Sequence, residues 1–263
     1  FAFGRCIIHS LCAIARLRTL SEAPFIVDTD SVGASFGRVE KILTNHKADF
    51  VSSKVGFMPS NVKDFNHIRW VHLDLARTSD SAGVSMGHVD KFVHVDRGYG
   101  VSEILPHIVI DFSLEIPPPK NGEIDFATIR RLIMRLREEG MNIKFVTADT
   151  FQSADALQIL WQHGFSTGVF SVDRTTEGYV ILKSTIYDDR LDMPENDHLQ
   201  HELLGLECSS RNSSQVVDYS AIVSKDVSDS LAGIVRGFIM QSDLCVSYAF
   251  NSTYLPHTHQ TSI

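Results

Sequence analysis

Four aspartates stand out by where they fall. Asp74 interrupts the apolar run "IRWVHLDLA" (68–76), Asp149 closes "NIKFVTAD" (142–149), and Asp226 and Asp229 open "SKDVSDSLAGIVRGFIM" (224–240). A carboxylate inside an apolar strand is several kcal/mol unfavourable unless it is paired or holds a cation. An aspartate at a strand's carboxyl end lies where α/β sheets gather their sites. Asp226 and Asp229, spaced i, i+3, share one helix face. Carboxylates collected from such places repel one another, and a hard divalent cation offsets that repulsion. Mg²⁺ or Mn²⁺ suits an all-oxygen donor set. Two such ions about 3.5–4 Å apart can activate a water and stabilise the leaving oxygen of a phosphodiester. The chemistry this points to is metal-assisted hydrolysis of a nucleic-acid backbone.

Each acid also has a structural reading. Asp74 can be satisfied by His72 or a backbone amide. Asp149 can form the turn before the next helix. Asp226 suits a helix N-terminus through the macrodipole alone, and Asp229 can be a solvated helix charge. Taken singly these readings weigh as much as the functional one. The joint occurrence in a strand, a strand end and a helix start favours function.

The remaining chemistry-bearing residues weigh less. His72, His88 and His94 alternate with apolar neighbours and read as packing or surface residues. His72, two residues before Asp74, can orient a carboxylate or contact a nucleic acid. Ser153 reads as a helix cap rather than a nucleophile, and no G-x-S-x-G elbow occurs. Arg130, Arg131, Arg135 and Arg137 form a basic helix face that, beside Glu138 and Glu139, reads as solvated. Asp80 reads as a turn former, and His257 and His259 sit in a polar tail.

The elements that must position the acids follow from periodicity. Residues 68–76 and 83–89 read as a hairpin across the turn-rich "RTSDSAG" (77–83), with 91–96 extending its second strand and 107–116 forming a third. Residues 123–140 keep a helical stripe (Ile124, Ala127, Ile129, Leu132, Ile133, Leu136) with Asp125 as N-cap and Gly140 past the end. A strand (142–149), a helix (153–164, capped by Ser153), a strand (166–173) and a helix (176–191) follow. Residues 199–208 are ambiguous, and 224–240 form a last helix capped by Ser224. The N-terminal 65 residues are hard to read. Residues 9–20 and 38–43 read as short helices and 57–67 as a connector. The resulting expectation is a mixed α/β architecture, a hairpin-led sheet with crossover helices on its faces, and neighbouring strands for Asp74 and Asp149.

The chain has 263 residues, a net charge of −8, 43% hydrophobic and 21% charged residues, the profile of a water-soluble globular protein. No segment stays apolar for about 18 residues, so no membrane span is expected. The acidic balance argues against a broad nucleic-acid footprint without excluding a nuclease. Cys6, Cys12, Cys208 and Cys245 form no C-x-x-C pair, which points to a reducing compartment. The opening "FAFGRCIIHSLCAIARLRTL" is a poor signal peptide, broken by His9 and closed by Arg16 and Arg18, and the start at Phe1 reads as a fragment or excised domain.

"RWVHLDLARTSDSAGVSMGHV", "IPPPKNGEIDFATIRRLI", "VTADTFQSADALQIL" and "VSKDVSDSLAG", in that order, resemble the nuclease domain of bacteriophage terminase large subunits. The resemblance covers roughly residues 66–240. It implies an RNase H-like (RuvC-like) fold: a mixed sheet, early antiparallel hairpin and later parallel strands, flanked by helices. It implies a DNA endonuclease that cuts concatemeric double-stranded DNA with two divalent cations, Mg²⁺ or Mn²⁺. On that resemblance Asp74 is the first metal ligand, Asp149 the second, and Asp226 the third by register, with Asp229 as an additional or alternative ligand. The implied partners are double-stranded DNA and the portal and small terminase proteins, in the host cell cytoplasm, with no membrane. The chain has no G-x-x-x-x-G-K-[ST] loop, so no ATPase motor and no ATP hydrolysis are expected of it. The division expected is an N-terminal connector or extension (1–65), the nuclease domain (66–241) and a C-terminal tail (242–263). Two alternatives stand beside this: an RNase H-fold module that docks to packaging partners with little catalysis, and another RNase H-like nuclease such as a junction resolvase.

Overall fold

The computed structural model describes residues 65–75, 81–116, 123–149, 153–169, 171–172, 175–194, 196–211, 214–219 and 225–241, with short strands at 18–20, 25–27 and 55–57. In chain order the elements are β1 (Arg18–Leu20), β2 (Phe25–Val27), β3 (Val55–Phe57), β4 (Arg69–Asp74), β5 (Ala82–Gly98) and β6 (Val101–Ile116). Then come α1 (Phe126–Glu138), β7 (Ile143–Ala148), α2 (Ala154–Gln162), β8 (Ser166–Val169), α3 (Glu177–Tyr187) and β9 (Leu191–Pro194). The chain continues through α4 (Asp197–Gly205), β10 (Leu206–Arg211), β11 (Ser214–Tyr219) and α5 (Asp226–Met240).

The main sheet has seven strands in the order β1-β9-β6-β5-β4-β7-β8. The β4–β5 and β5–β6 pairs are antiparallel, whereas β4–β7, β7–β8, β6–β9 and β1–β9 are parallel. The expected combination of an early hairpin and later parallel strands is therefore present, with Asp149 continuing the strand beside Asp74. Helices cover both faces, as the strand pattern requires. Val71 and Leu73 of β4, with Phe112, Leu114 and Ile116 of β6, face Ile129, Leu132, Ile133 and Leu136 of α1 and Leu157 and Leu160 of α2. On the other face Trp70, Ile108 and Ile110 pack with Tyr179, Leu182 and Ile186 of α3, Leu199 and Leu203 of α4, and the apolar side of α5. Period-2 alternation therefore sends Trp70, His72 and Asp74 toward α5.

Helix boundaries follow local chemistry. Asp125 accepts a hydrogen bond from the Ala127 amide at 2.9 Å, the expected cap of α1. Gly140 supplies the left-handed φ of 103° after α1 ends. Ser153 does occupy the cap position of α2, but its side chain makes no capping bond. The N-cap of α5 is Lys225; Ser224 lies outside the described residues.

Four readings change, the first being that the helix expected over 176–191 ends at Tyr187 and Leu191 opens β9, which joins β1 to β6 in the sheet. The expected second and third strands are longer than read and join in a second hairpin: β5 runs 17 residues and β6 runs 16, meeting at Gly98, Tyr99 and Gly100 with φ of 82°, 53° and 79°. Its outer half is largely exposed, so no core-facing alternation betrays it, and cross-strand pairing holds it instead. Arg97 anchors it, donating from Nη1 and Nη2 to Asp188 at 2.9 and 3.0 Å and from Nε to Glu103 at 2.7 Å. The ambiguous 199–208 segment divides into the end of α4 and the start of β10, and the Asn196 side chain caps α4 by accepting from the Leu199 amide. Residues 18–20, expected at the end of a short helix, form an edge strand against β9. Residues 9–17 and 38–43, Asp80, His257 and His259 lie outside the described residues. Among the described residues no helix is long and apolar enough to cross a membrane.

Candidate functional site

The site is built by one close approach. Register places Asp74 of β4 opposite Gly83 of β5, and Gly83 opposite Glu115 of β6. Register partners point to the same face, here the face toward α5. A Cβ at residue 83 would stand 1.9 Å from the carbonyl oxygen of Asp226 and 3.1 Å from Cβ of Ser230. Only glycine lets the first turn of α5 rest on the sheet at this point. Asp226 is thereby held directly over the strand row that carries Asp74.

Two further contacts fix the direction of α5. A Cβ at Gly233 would strike the His72 ring at 2.1 Å, and one at Gly237 would meet the Trp70 ring at 2.9 Å. The helix thus lies along β4 with its N-terminus at the strand's carboxyl end. Ser230 clamps it sideways, sharing a 2.7 Å hydrogen bond with Ser85, which in turn bonds Ser113 at 2.8 Å. The positive end of the helix dipole is therefore at the cluster of acids.

Asp149 reaches the same end from β7. Its amide donates to the Leu73 carbonyl at 3.0 Å, extending the parallel ladder one residue beyond Ala148. Its carboxylate, only 3% exposed, takes the Val172 amide on Oδ1 at 3.0 Å. Asp74 and Asp226 are half-buried.

Asp229 sits differently. Its Oδ2 receives the Lys225 ammonium at 2.7 Å and its Oδ1 the Tyr179 hydroxyl. Burial, then the Asp229 charge, pushes the Tyr179 hydroxyl well above its usual range, so it stays protonated as a donor. Both oxygens of Asp229 are engaged, Oδ2 by the N-cap residue of α5 itself and Oδ1 by Tyr179, which ties α5 to α3. The structure thus brings Asp74, Asp149 and Asp226 to one end of the sheet and turns Asp229 toward α3.

His72 does not line a surface. It is fully buried, with Nδ1 2.8 Å from the Thr147 hydroxyl, which also accepts from Trp70 Nε1 at 2.8 Å. Burial, helped by Arg236, lowers its pKa from 6.5 to about 3, so the ring is neutral. His88 is buried against Asp111 and stacked on His67 at 4.7 Å, while His94 is exposed on the hairpin. The basic face of α1 is internally paired: Arg130 with Asp155, Arg131 with Asp125, Arg135 with Glu139, and Arg137 stacked on Phe165.

Sequence reasoning passed over Glu115, His198, Glu202 and Gly83. One signal was available. Asp111, Ser113 and Glu115 recur at period two among Ile110, Phe112, Leu114 and Ile116, three polar residues within the buried half of β6.

The donor set fits a hard divalent cation in chemistry: carboxylates at a helix N-terminus and at the carboxyl ends of two neighbouring interior strands, over a cradle that any Cβ would fill. Among the described residues no three His, Cys, Asp or Glu side chains already converge on one cation-sized point.

No family model and no curated protein sequence matches the chain. Solved structures do. The large terminase nuclease from thermophilic phage G20c aligns with a TM-score of 0.54 at 14% identity, over 88% of this chain and 97% of that one. The same nuclease with bound magnesium aligns at 0.53 and 14% identity, over 88% and 96%. The large terminase nuclease domain of Thermus phage P74-26 aligns at 0.51 and 14% identity, over 88% and 94%. The sheet order, the helices on both faces and these alignments together establish that the chain has the RNase H-like fold of large terminase nucleases.

Proposed function

We propose that this chain is the divalent-metal-dependent endonuclease domain of a viral DNA-packaging terminase, cutting concatemeric double-stranded DNA by two-metal hydrolysis. One observation carries the reading: the first turn of α5 is seated on Gly83, which brings Asp226 over the row containing Asp74, beside Asp149 on the adjacent strand. The magnesium-bound relative with the same fold supports it.

Asp74, Asp149 and Asp226 are the residues that would hold the ions, which when bound supply a nucleophilic water and stabilise the leaving oxygen. The protein's own part is positional. β4 and β7 fix two carboxylates through adjacent ladders, and the Val172 amide orients one oxygen of Asp149. Gly83, Ser85 and Ser230 fix the third through the helix. The helix N-terminus adds positive potential where phosphate charge develops. Asp229 acts by holding α5 to α3 and leaves ligation to Asp226. In this reading the domain works in the host cell cytoplasm, with portal and small terminase proteins as partners.

The test is plasmid cleavage with Mg²⁺ or Mn²⁺. Asp74→Ala and Asp149→Asn should each abolish cleavage and keep the far-ultraviolet spectrum and cooperative melt; asparagine retains the acceptor for Val172. Wild-type activity in both variants defeats the assignment. Absence of metal-dependent cleavage, together with binding to portal protein, would favour the docking-module alternative. Preference for branched over linear duplex would favour a junction resolvase.

A further inference from the structure

The helix that carries Asp226 lacks a cap of its own. Lys225 occupies the N-cap position and offers no side-chain acceptor. The amide that a cap would take, that of Ser228 in the first turn, donates instead to Oε2 of Glu202 at 2.7 Å. Glu202 belongs to α4 and is 0% exposed. Its other oxygen, Oε1, lies 3.0 Å from Nε2 of His198, and the same Nε2 lies 3.5 Å from Oε2 of Glu115. Glu115 is itself held by the Ser81 hydroxyl at 2.7 Å and stands directly across Gly83 from Asp74.

These contacts form a closed strap: β6 to His198, His198 to Glu202, Glu202 to the first turn of α5, and that turn back onto β5 between Asp74 and Glu115. A fully buried carboxylate is unfavourable, and hydrogen bonds to a backbone amide and an imidazole offset this. The carboxylate also meets the positive end of the helix dipole. A solvated helix start would need no such arrangement. Its consequence is that the height and rotation of Asp226 over the sheet are set from α4.

We propose that Glu202 is a positioning residue for the metal site, acting through the Ser228 amide on Asp226, with His198 and Glu115 fixing Glu202 in turn. This inference rests on the metal-site reading above. It assigns a role in that site to α4, a segment whose sequence carries no site signature.

The test combines Mn²⁺ binding by calorimetry, amide hydrogen exchange over residues 226–230 and thermal melting, on the whole chain. Glu202→Ala should speed exchange at Ser228 by about tenfold and weaken Mn²⁺ binding by about tenfold. Glu202→Gln keeps an acceptor for the Ser228 amide and should restore binding to within about threefold of wild type. Faster exchange with unchanged Mn²⁺ affinity overturns the proposal, as does a Glu202→Gln variant as defective as the alanine. If the alanine variant fails to fold, the proposal stands or falls on the glutamine rescue and on His198→Ala, which removes the tie to Glu115 and should weaken Mn²⁺ binding by about threefold; unchanged affinity there overturns it. Wild-type protein that binds no Mn²⁺ defeats the metal-site reading itself, and the exchange data then still report whether Glu202 caps α5.

Discussion

Gly83→Ala tests the close approach on which the site depends. The added Cβ would lie 1.9 Å from the Asp226 carbonyl oxygen. Ordinary contact begins near 3.4 Å, so helix and strand must separate by about 1.5 Å. Neither can move freely: β5 is paired on both sides, and α5 is pinned by Ser230 on Ser85 and by the His72 ring under Gly233. Overpacking of this kind destabilises by about 1–3 kcal/mol. Displacing a positioned group by about 1 Å lowers rate by about a hundredfold. Urea unfolding reads the first effect and Mn²⁺-dependent plasmid cleavage the second. Gly168→Ala is the control, because its Cβ would meet Thr147 at an ordinary 3.7 Å. A Gly83→Ala protein with wild-type stability and cleavage would refute the claim that α5 is seated on β5 at this residue.

Two other expectations separate structural from site roles. His72 is neutral in the fold down to about pH 3, whereas the unfolded chain takes up a proton near 6.5; its stabilising contribution is therefore complete above 6.5 and falls through that window by about 1.4 kcal/mol per pH unit. Urea titrations at pH 7 and 4.5 should show about 3 kcal/mol more loss in wild type than in His72→Gln, and equal losses would contradict the buried neutral ring. Asp229→Asn removes the charge paired with Lys225 while keeping an acceptor for the Tyr179 hydroxyl; it should destabilise by about 3 kcal/mol yet leave Mn²⁺ affinity within about threefold, and a larger loss of affinity at intact fold would make Asp229 a ligand.

What the sequence disclosed follows the reach of local physics. Strands β4 and β7, helices α1, α2, α3 and α5, and the neighbouring placement of Asp74 and Asp149 were legible because periodicity and strand ends record them directly. The outer hairpin was not, since its residues beyond Asp90 face mostly solvent and leave no buried pattern. Asp229 could not be told from Asp226, because three residues apart on a helix they share a face; only the packing of Tyr179 against α5 separates them. Gly83 read as a turn residue, and its role emerges only from the helix that arrives more than a hundred residues later. Glu202 and His198 sit in a segment without clear periodicity, and their meaning is entirely tertiary.

The most direct test of the central claim is a crystal of this chain soaked in Mn²⁺ and measured at the manganese edge. The account predicts anomalous peaks ligated by Asp74, Asp149 and Asp226, about 2.0–2.2 Å from their carboxylate oxygens, with Asp229 still on Lys225 and Tyr179. Saturating Mn²⁺ with no peak at this end of the sheet, or with peaks held by other residues, would contradict it.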